Sequence, residues 1–282
     1  MESAIRLAAE IDRNVLIALA EDIGGGDLTA RLTPVEGRST GAVVTREDAV
    51  LAGSAWFDAC FLRLDPQAEI VWSARDGDHV VAGQTLCRIE ANTRAMLTAE
   101  RAALNFLQLL SATATVTRRH VDAVKGTRAT IVDTRKTIPG LRLAQKYAVT
   151  CGGGINHRLG LYDGILIKEN HIIAAGGIKP ALQRARAISP AGVFIQIEVE
   201  TLDQLREALD ADARMILLDN MSLGQMREVV EVNAGHAKLE ASGGVNLETV
   251  RAIAETGVDR ISIGGLTKDI RAVDLSLRHS ET

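Results

Sequence analysis

Past Met96 the chain alternates short β-rich runs with amphipathic segments of helical period, and this alternation restricts the fold more than any other feature. The β-rich runs fall at Thr130–Asp133, Gly164–Lys168, Val193–Val199, Arg214–Asp219, Lys238–Ala241 and Arg260–Ile263, with segments such as Leu202–Leu209 and Leu247–Glu255 between them. Two parallel strands need a crossover long enough to hold a helix, so strand, helix and strand in succession read as parallel βα units. These runs stop short of the eight in a standard barrel. The expected α/β architecture is therefore an incomplete α/β barrel, about six-stranded.

The N-terminal third has another texture. Helices are expected at Ile5–Glu21 and Ser54–Leu64, and short strands at Gly41–Thr45, Ala49–Ala52, Ile70–Ser73 and Thr85–Ile89, the last following the turn Asp76-Gly77-Asp78. This predicts a small N-terminal α+β domain over residues 1–95 and a catalytic barrel over 96–267, with a C-terminal helix at 268–282 packing on the first domain. A chain of 282 residues has room for both.

Composition removes several classes of function. Hydrophobic residues at 46% and charged residues at 24% mark a soluble globular protein with a sizeable core, not a disordered one. A net charge of -4 provides no overall basic field, so neither nucleic acid nor a membrane surface is an expected partner, and any anion site must be local. Cys60, Cys87 and Cys151 are widely spaced and form no CxxC pair, which argues against a disulfide framework or a structural zinc. The apolar stretch Val15–Ala20 is too short for a signal segment or a membrane span. A cytoplasmic location is expected.

Barrel enzymes place their reacting groups where strands finish and βα loops begin. Here Arg135 and Lys136 follow the first run, Lys168 and Glu169 end the second, Glu198 and Glu200 the third, and Asp219 the fourth; Ser242-Gly243-Gly244 and Gly264-Gly265 follow the last two. One charge at a strand end is ordinary solvation, and Arg158 or Lys168 alone reads equally well as a helix cap or a surface ion pair. A charge or a glycine pair at every end is harder to dismiss. The cations Arg135, Lys136, His157, Arg158 and Lys168 are concentrated in a segment that ends before the carboxylates begin, which resembles an anion pocket suited to a small dicarboxylate. The glycine runs, including Gly152-Gly153-Gly154, fit either close backbone approach to a phosphate or simple turn geometry.

Longer segments carry a family likeness: EDIGGGDLT at Glu21–Thr29, ERAALNFLQLL at Glu100–Leu110, DTRKTIPG at Asp133–Gly140 and GGGINHRLGLYDGILIKENH at Gly152–His171. Glu198-Val199-Glu200, Leu218-Asp219-Asn220-Met221, EASGG at Glu240–Gly244 and ISIGGLT at Ile261–Thr267 extend it. Over nearly its whole length the chain resembles the quinolinate phosphoribosyltransferases, the carboxylating nicotinate-nucleotide pyrophosphorylases of NAD biosynthesis. The resemblance implies a pentosyltransferase that moves phosphoribosyl from 5-phosphoribosyl 1-pyrophosphate to quinolinate, giving nicotinate mononucleotide, pyrophosphate and CO2 with Mg2+ as cofactor.

On matching positions it implicates Arg135, His157, Arg158 and Lys168 in binding quinolinate, with Arg101 donated across the interface of a homodimer. It places Lys136, Glu198 and Asp219 at the phosphoribosyl donor as catalytic groups, with Glu198 and Asp219 as Mg2+ ligands, directly or through water. Ser242, Gly243, Gly244, Ile263, Gly264, Gly265 and Lys268 are implied around the donor's phosphates. Lys268 and Asp269 stand where the family pattern has histidine and serine. Glu200 shares a strand face with Glu198 by period two and competes for its role. Two alternatives share this fold: a pyrophosphorylase-like sibling associated with molybdenum transport, and a noncatalytic phosphate-binding barrel. A third reading, a biotinyl or lipoyl carrier suggested by DGDHVVAGQTL at Asp76–Leu86, finds no lysine between Asp76 and Glu90 to carry the cofactor.

Overall fold

The computed structural model describes residues 2–280. Two compact units emerge: unit 1 comprises Met1–Arg118, Thr137–Gly153 and Thr267–Thr282, and unit 2 comprises Arg119–Lys136 and Gly154–Leu266.

Unit 1 is built on an antiparallel sheet in the order Leu275–Ser280, Arg38–Thr45, Thr85–Asn92, Glu69–Trp72. The helix Thr93–Ala123 presents Met96, Ala99, Ala103, Leu107, Leu110 and Ala114 to its core, a spacing of three and four residues that places one stripe on one face. The sheet contributes Val43, Leu86, Cys87 and Ile89 to the same core, and the helix Ser54–Leu64 contributes Trp56, Phe57 and Phe61. These contacts explain why the units do not part at residue 95: the long helix buries its apolar stripe on unit 1 beyond that point. A second difference lies at the C-terminus. Residues Leu275–Ser280 form a strand, not a helix, pairing antiparallel from Thr45↔Leu275 to Thr40↔Ser280; of the rest of the predicted helix, Lys268 ends the short helix Gly265–Lys268, residues 269–274 are irregular, and residues 281–282 lie outside the described residues. Alternate apolar residues at Val273, Leu275 and Leu277 suit a half-buried strand.

Unit 2 holds six parallel strands, labelled here β1 (Thr130–Val132), β2 (Gly164–Ile167), β3 (Phe194–Val199), β4 (Met215–Asp219), β5 (Lys238–Ser242) and β6 (Arg260–Ser262). Their order in the sheet is β1-β6-β5-β4-β3-β2. Continuous buried runs such as Ile216-Leu217-Leu218 are what parallel strands covered on both faces require. Two of the intervening helices begin at capping boxes, Thr201 with Gln204 and Ser222 with Gln225, which satisfy otherwise orphaned N–H groups and mark where strand chain becomes helix. No ladder joins β1 to β2. Instead the chain at Ile155 makes a single parallel bridge to Val132, with Ile155 N–H donating to the Ile131 carbonyl at 2.9 Å and Asp133 N–H to the Ile155 carbonyl at 3.1 Å. The expected incomplete α/β barrel is therefore present, with an irregular segment beside β1. Among the described residues no helix is long and apolar enough to cross a membrane.

Candidate active site

Strand register brings the C-terminal ends of the barrel strands to one level: Ile167 lies beside Ile197, Val199 beside Leu218, Asp219 beside Ser242, and Ser262 beside Val132. At that level unit 2 encloses a cavity of about 350 Å3, lined by Thr134, Arg135, Lys136, His157, Arg158, Leu166, Lys168, Glu198, Leu217, Asp219, Glu240, Ser242 and Ser262. Eight of the residues implicated from the sequence thus meet around one space.

Charge is sorted around this mouth. Arg135 and Lys136 after β1, Arg158 on the bridging segment and Lys168 after β2 form a cationic arc, while Glu198 on β3, Asp219 on β4 and Glu240 on β5 form an acidic one. The two arcs meet at an ion pair between Lys168 Nζ and Glu198 Oε2, 2.9 Å apart. Within the cationic arc, Arg135 and Arg158 form no ion pair with any carboxylate among the described residues. Arg158 donates through Nη1 to the Gly164 carbonyl at 3.0 Å, and Arg135 Nε is buried with no protein acceptor. Burial, then the neighbouring Arg135 guanidinium, lowers the pKa of Arg158 from its ordinary value, against a smaller opposing pull from Asp163.

His157 is buried beneath this arc. Its backbone N–H donates to Asp133 Oδ1 at 2.8 Å, and Nδ1 accepts from the Arg158 backbone N–H at 2.7 Å. Nε2 lies 2.8 Å from Gln196 Oε1, and Gln196 Nε2 donates to Glu240 Oε2 at 3.2 Å. Arg260 Nε stands 3.1 Å from the same Glu240 oxygen as a charge contact, though its N–H is not aligned for a hydrogen bond.

Several predicted residues stand elsewhere. Arg101 belongs to unit 1, where with Glu21, Asp22, Asn105 and Phe106 it lines a hollow of about 350 Å3. Glu200 follows β3 and precedes the N-cap Thr201 of the next helix, its backbone N–H donating to Gln204 Oε1 at 2.7 Å, while Glu198 faces the cavity. Lys268, in unit 1, is exposed and paired with Asp269 at 2.8 Å. Gly243, Gly244, Ile263, Gly264 and Gly265 do not line the cavity. A Cβ on Gly264 would come within 2.8 Å of Lys136 Cδ, and one on Gly243, at φ +106°, would collide with the Asn220 side chain.

Asp133, Leu166, Gln196, Leu217, Glu240, Arg260 and Ser262 were missed by the sequence reading. The signal for four of them was period two: Leu166, Gln196, Leu217 and Glu240 each lie two residues before Lys168, Glu198, Asp219 and Ser242, and so share their strand faces.

A parallel barrel whose strand ends gather unpaired guanidinium groups opposite carboxylates defines an α/β-barrel enzyme that handles a polyanionic substrate. Comparison with known proteins supplies the family. Residues 27–111 match the quinolinate phosphoribosyl transferase N-terminal domain and residues 113–278 its C-terminal domain. The carboxylating nicotinate-nucleotide pyrophosphorylase of Mycobacterium leprae is 43% identical over 270 residues, covering 92% of this chain and 94% of that protein. A mitochondrial decarboxylating quinolinate phosphoribosyltransferase of Nicotiana tabacum is 39% identical over 93% of this chain and 80% of its own. The structure of the nicotinate-nucleotide pyrophosphorylase from Francisella tularensis superposes with a TM-score of 0.94 at 44% identity over 97% of each chain. The chain belongs to the quinolinate phosphoribosyltransferase family.

Proposed function

We propose that the two charged arcs of the unit 2 cavity carry out phosphoribosyl transfer from 5-phosphoribosyl 1-pyrophosphate to quinolinate, with loss of CO2 and formation of nicotinate mononucleotide. The observation that carries this reading is the pair Arg135 and Arg158, adjacent, part-buried and matched by no carboxylate, above a floor that includes Leu166 and Leu217. Planar guanidinium forks hold carboxylates with paired hydrogen bonds, and leucines accept the face of a flat ring. Lys168 and His157 complete that wall, and Arg101 of a second subunit is the remaining cation in a homodimer.

Gripping both carboxylates aims the ring nitrogen at the anomeric carbon of the donor. As the C1–O bond breaks, pyrophosphate departs and positive charge grows on the ribose, which Glu198 and Asp219 face. The nitrogen forms the new bond to C1 and becomes cationic. The adjacent carboxylate then leaves as CO2, and its electron pair stays on the ring carbon beside that positive nitrogen until a proton replaces it. Lys136, held over Gly264, and Ser242 at the end of β5 are suited to the departing phosphates.

Among the described residues no group of three or more His, Cys, Asp or Glu side chains stands ready to hold a metal. Glu198 and Asp219 nevertheless fit Mg2+, which typically binds through one or two carboxylates together with substrate phosphates and water. When bound there, Mg2+ would supply charge neutralisation to the diphosphate. Three free thiols, Cys60 and Cys87 among them buried, fit a reducing cytoplasmic compartment. The molybdenum-associated sibling and the noncatalytic barrel are not favoured, because relatives at 39% and 43% identity bear the names of quinolinate or nicotinate-nucleotide enzymes.

Purified protein incubated with quinolinate, the phosphoribosyl donor and Mg2+ is expected to release CO2 and nicotinate mononucleotide, with nicotinate inert as the control acceptor. Turnover of nicotinate in place of quinolinate would overturn the reading.

A further inference from the structure

Arg158 sits on a segment with no ladder of its own, joined to the sheet by the single bridge at Ile155, by the His157 N–H bond to Asp133 Oδ1 and by its own Nη1 bond to the Gly164 carbonyl. The Arg158 backbone is held by the ring of the residue before it. The Arg158 backbone N–H can only donate, so His157 Nδ1 must be the acceptor in their 2.7 Å contact, and the neutral ring carries its proton on Nε2. That proton points at Gln196 Oε1, 2.8 Å away. Gln196 is fully buried, and its own amide orientation is set because its Nε2 donates to Glu240, also buried and a carboxylate that can only accept when ionised. Arg260 lies against Glu240 and closes the chain at β6.

We infer that Gln196 is a positioning residue for the quinolinate grip: it locks His157 in the Nε2-protonated form, and His157 in turn fixes the backbone from which Arg158 reaches the substrate. This rests on the function proposed above and refines it. Both ring nitrogens of His157 are engaged inside the protein, so its part in binding is to hold Arg158 and not to donate a ring N–H to the substrate carboxylate. The tautomer follows from the direction of the Glu240–Gln196 bond, a route along strand faces β5 and β3 that reaches the loop without passing through the substrate.

The test has two arms. In the first, 15N NMR of histidine-labelled wild-type protein, with the signal assigned by a His157→Asn sample, is expected to show a neutral ring protonated at Nε2 and bare at Nδ1 without any substrate present. A proton on Nδ1 would overturn the inference. In the second, Gln196→Met keeps the volume and removes the amide. Its quinolinate KM is expected to rise about tenfold, the size of one lost hydrogen bond, with a smaller rise in the KM for the phosphoribosyl donor, whose side of the cavity Gln196 reaches only through Glu240. An unchanged quinolinate KM, or an equal rise in both, would count as a merely structural role and sink the assignment. Should Gln196→Met not fold, the wild-type spectrum still decides. Wild-type protein that ignores quinolinate altogether would refute the function and leave the tautomer result standing, so the two failures are separable.

Discussion

Unit 2 contains two kinds of part-buried arginine, and they are treated oppositely. Arg260 on β6 lies 3.1 Å from Glu240, whose side chain is 1% exposed, so each charge is compensated by the other inside the barrel. Arg135 and Arg158 have no such carboxylate; they stand beside each other, and Arg158 is left with a backbone carbonyl at 3.0 Å. Placing like charges together in a part-buried site costs stability, and a fold keeps such an arrangement only where something outside the chain supplies the counter-charge. The contrast separates an arginine whose charge is matched inside the fold from two whose charges are not, although all three belong to one barrel.

Removing the compensated arginine should do the greatest damage to folding. Arg260→Ala leaves the Glu240 carboxylate buried without its cation, and a loss of roughly 3–5 kcal/mol in unfolding free energy is expected by urea denaturation. A loss below about 1 kcal/mol, the level of a surface pair, would erase the distinction. Arg135→Ala should behave in the reverse way. Quinolinate binding, measured by calorimetry, is expected to weaken by about 1.5–3 kcal/mol, the value of a charge-assisted contact. The melting temperature should hold or rise, because a repulsion with Arg158 has been relieved. A variant that melts early yet binds quinolinate normally would show that Arg135 belongs with Arg260.

The barrel was legible because each of its strands is a short apolar run bounded by turns, and the cavity was legible because charges follow those runs. Arg135, Lys168, Glu198 and Asp219 could be named without coordinates for that reason. For Gln196 and Glu240 period two gave the strand face but not the role, which appears only when their partners on other strands are known. The C-terminal strand was hidden for a related cause: Leu275–Ser280 has no helix-breaking signal, and its extended state depends on an edge offered by Arg38–Thr45, far away in sequence. Gly152 gave the opposite lesson. It fitted either a tight turn or backbone approach to a ligand, yet a Cβ there would come within 2.5 Å of the Ala114 carbonyl oxygen, so close packing on a neighbouring helix accounts for it.

The smallest effect tests the acid side of the same comparison, in unit 1. Asp58 is a part-buried carboxylate with no cation beside it: burial pushes its pKa up to about 6, the Trp72 indole N–H at 2.9 Å pulls it back, and Asp76 pushes it further up. The folded state therefore holds this proton more tightly than the unfolded chain does, and stability falls as pH rises from the ordinary carboxylate value of 3.8 through about 6. Asp58→Asn keeps an acceptor for Trp72 and abolishes the titration. Allowing for partial solvent screening, it is expected to match wild type near pH 4 and to exceed it by on the order of 1–2 kcal/mol at pH 7. Denaturation at the two pH values checks this, and a variant equally or less stable at both would mean that a lone buried acid is no burden here, leaving the pairing of Glu240 with Arg260 without its counterpart.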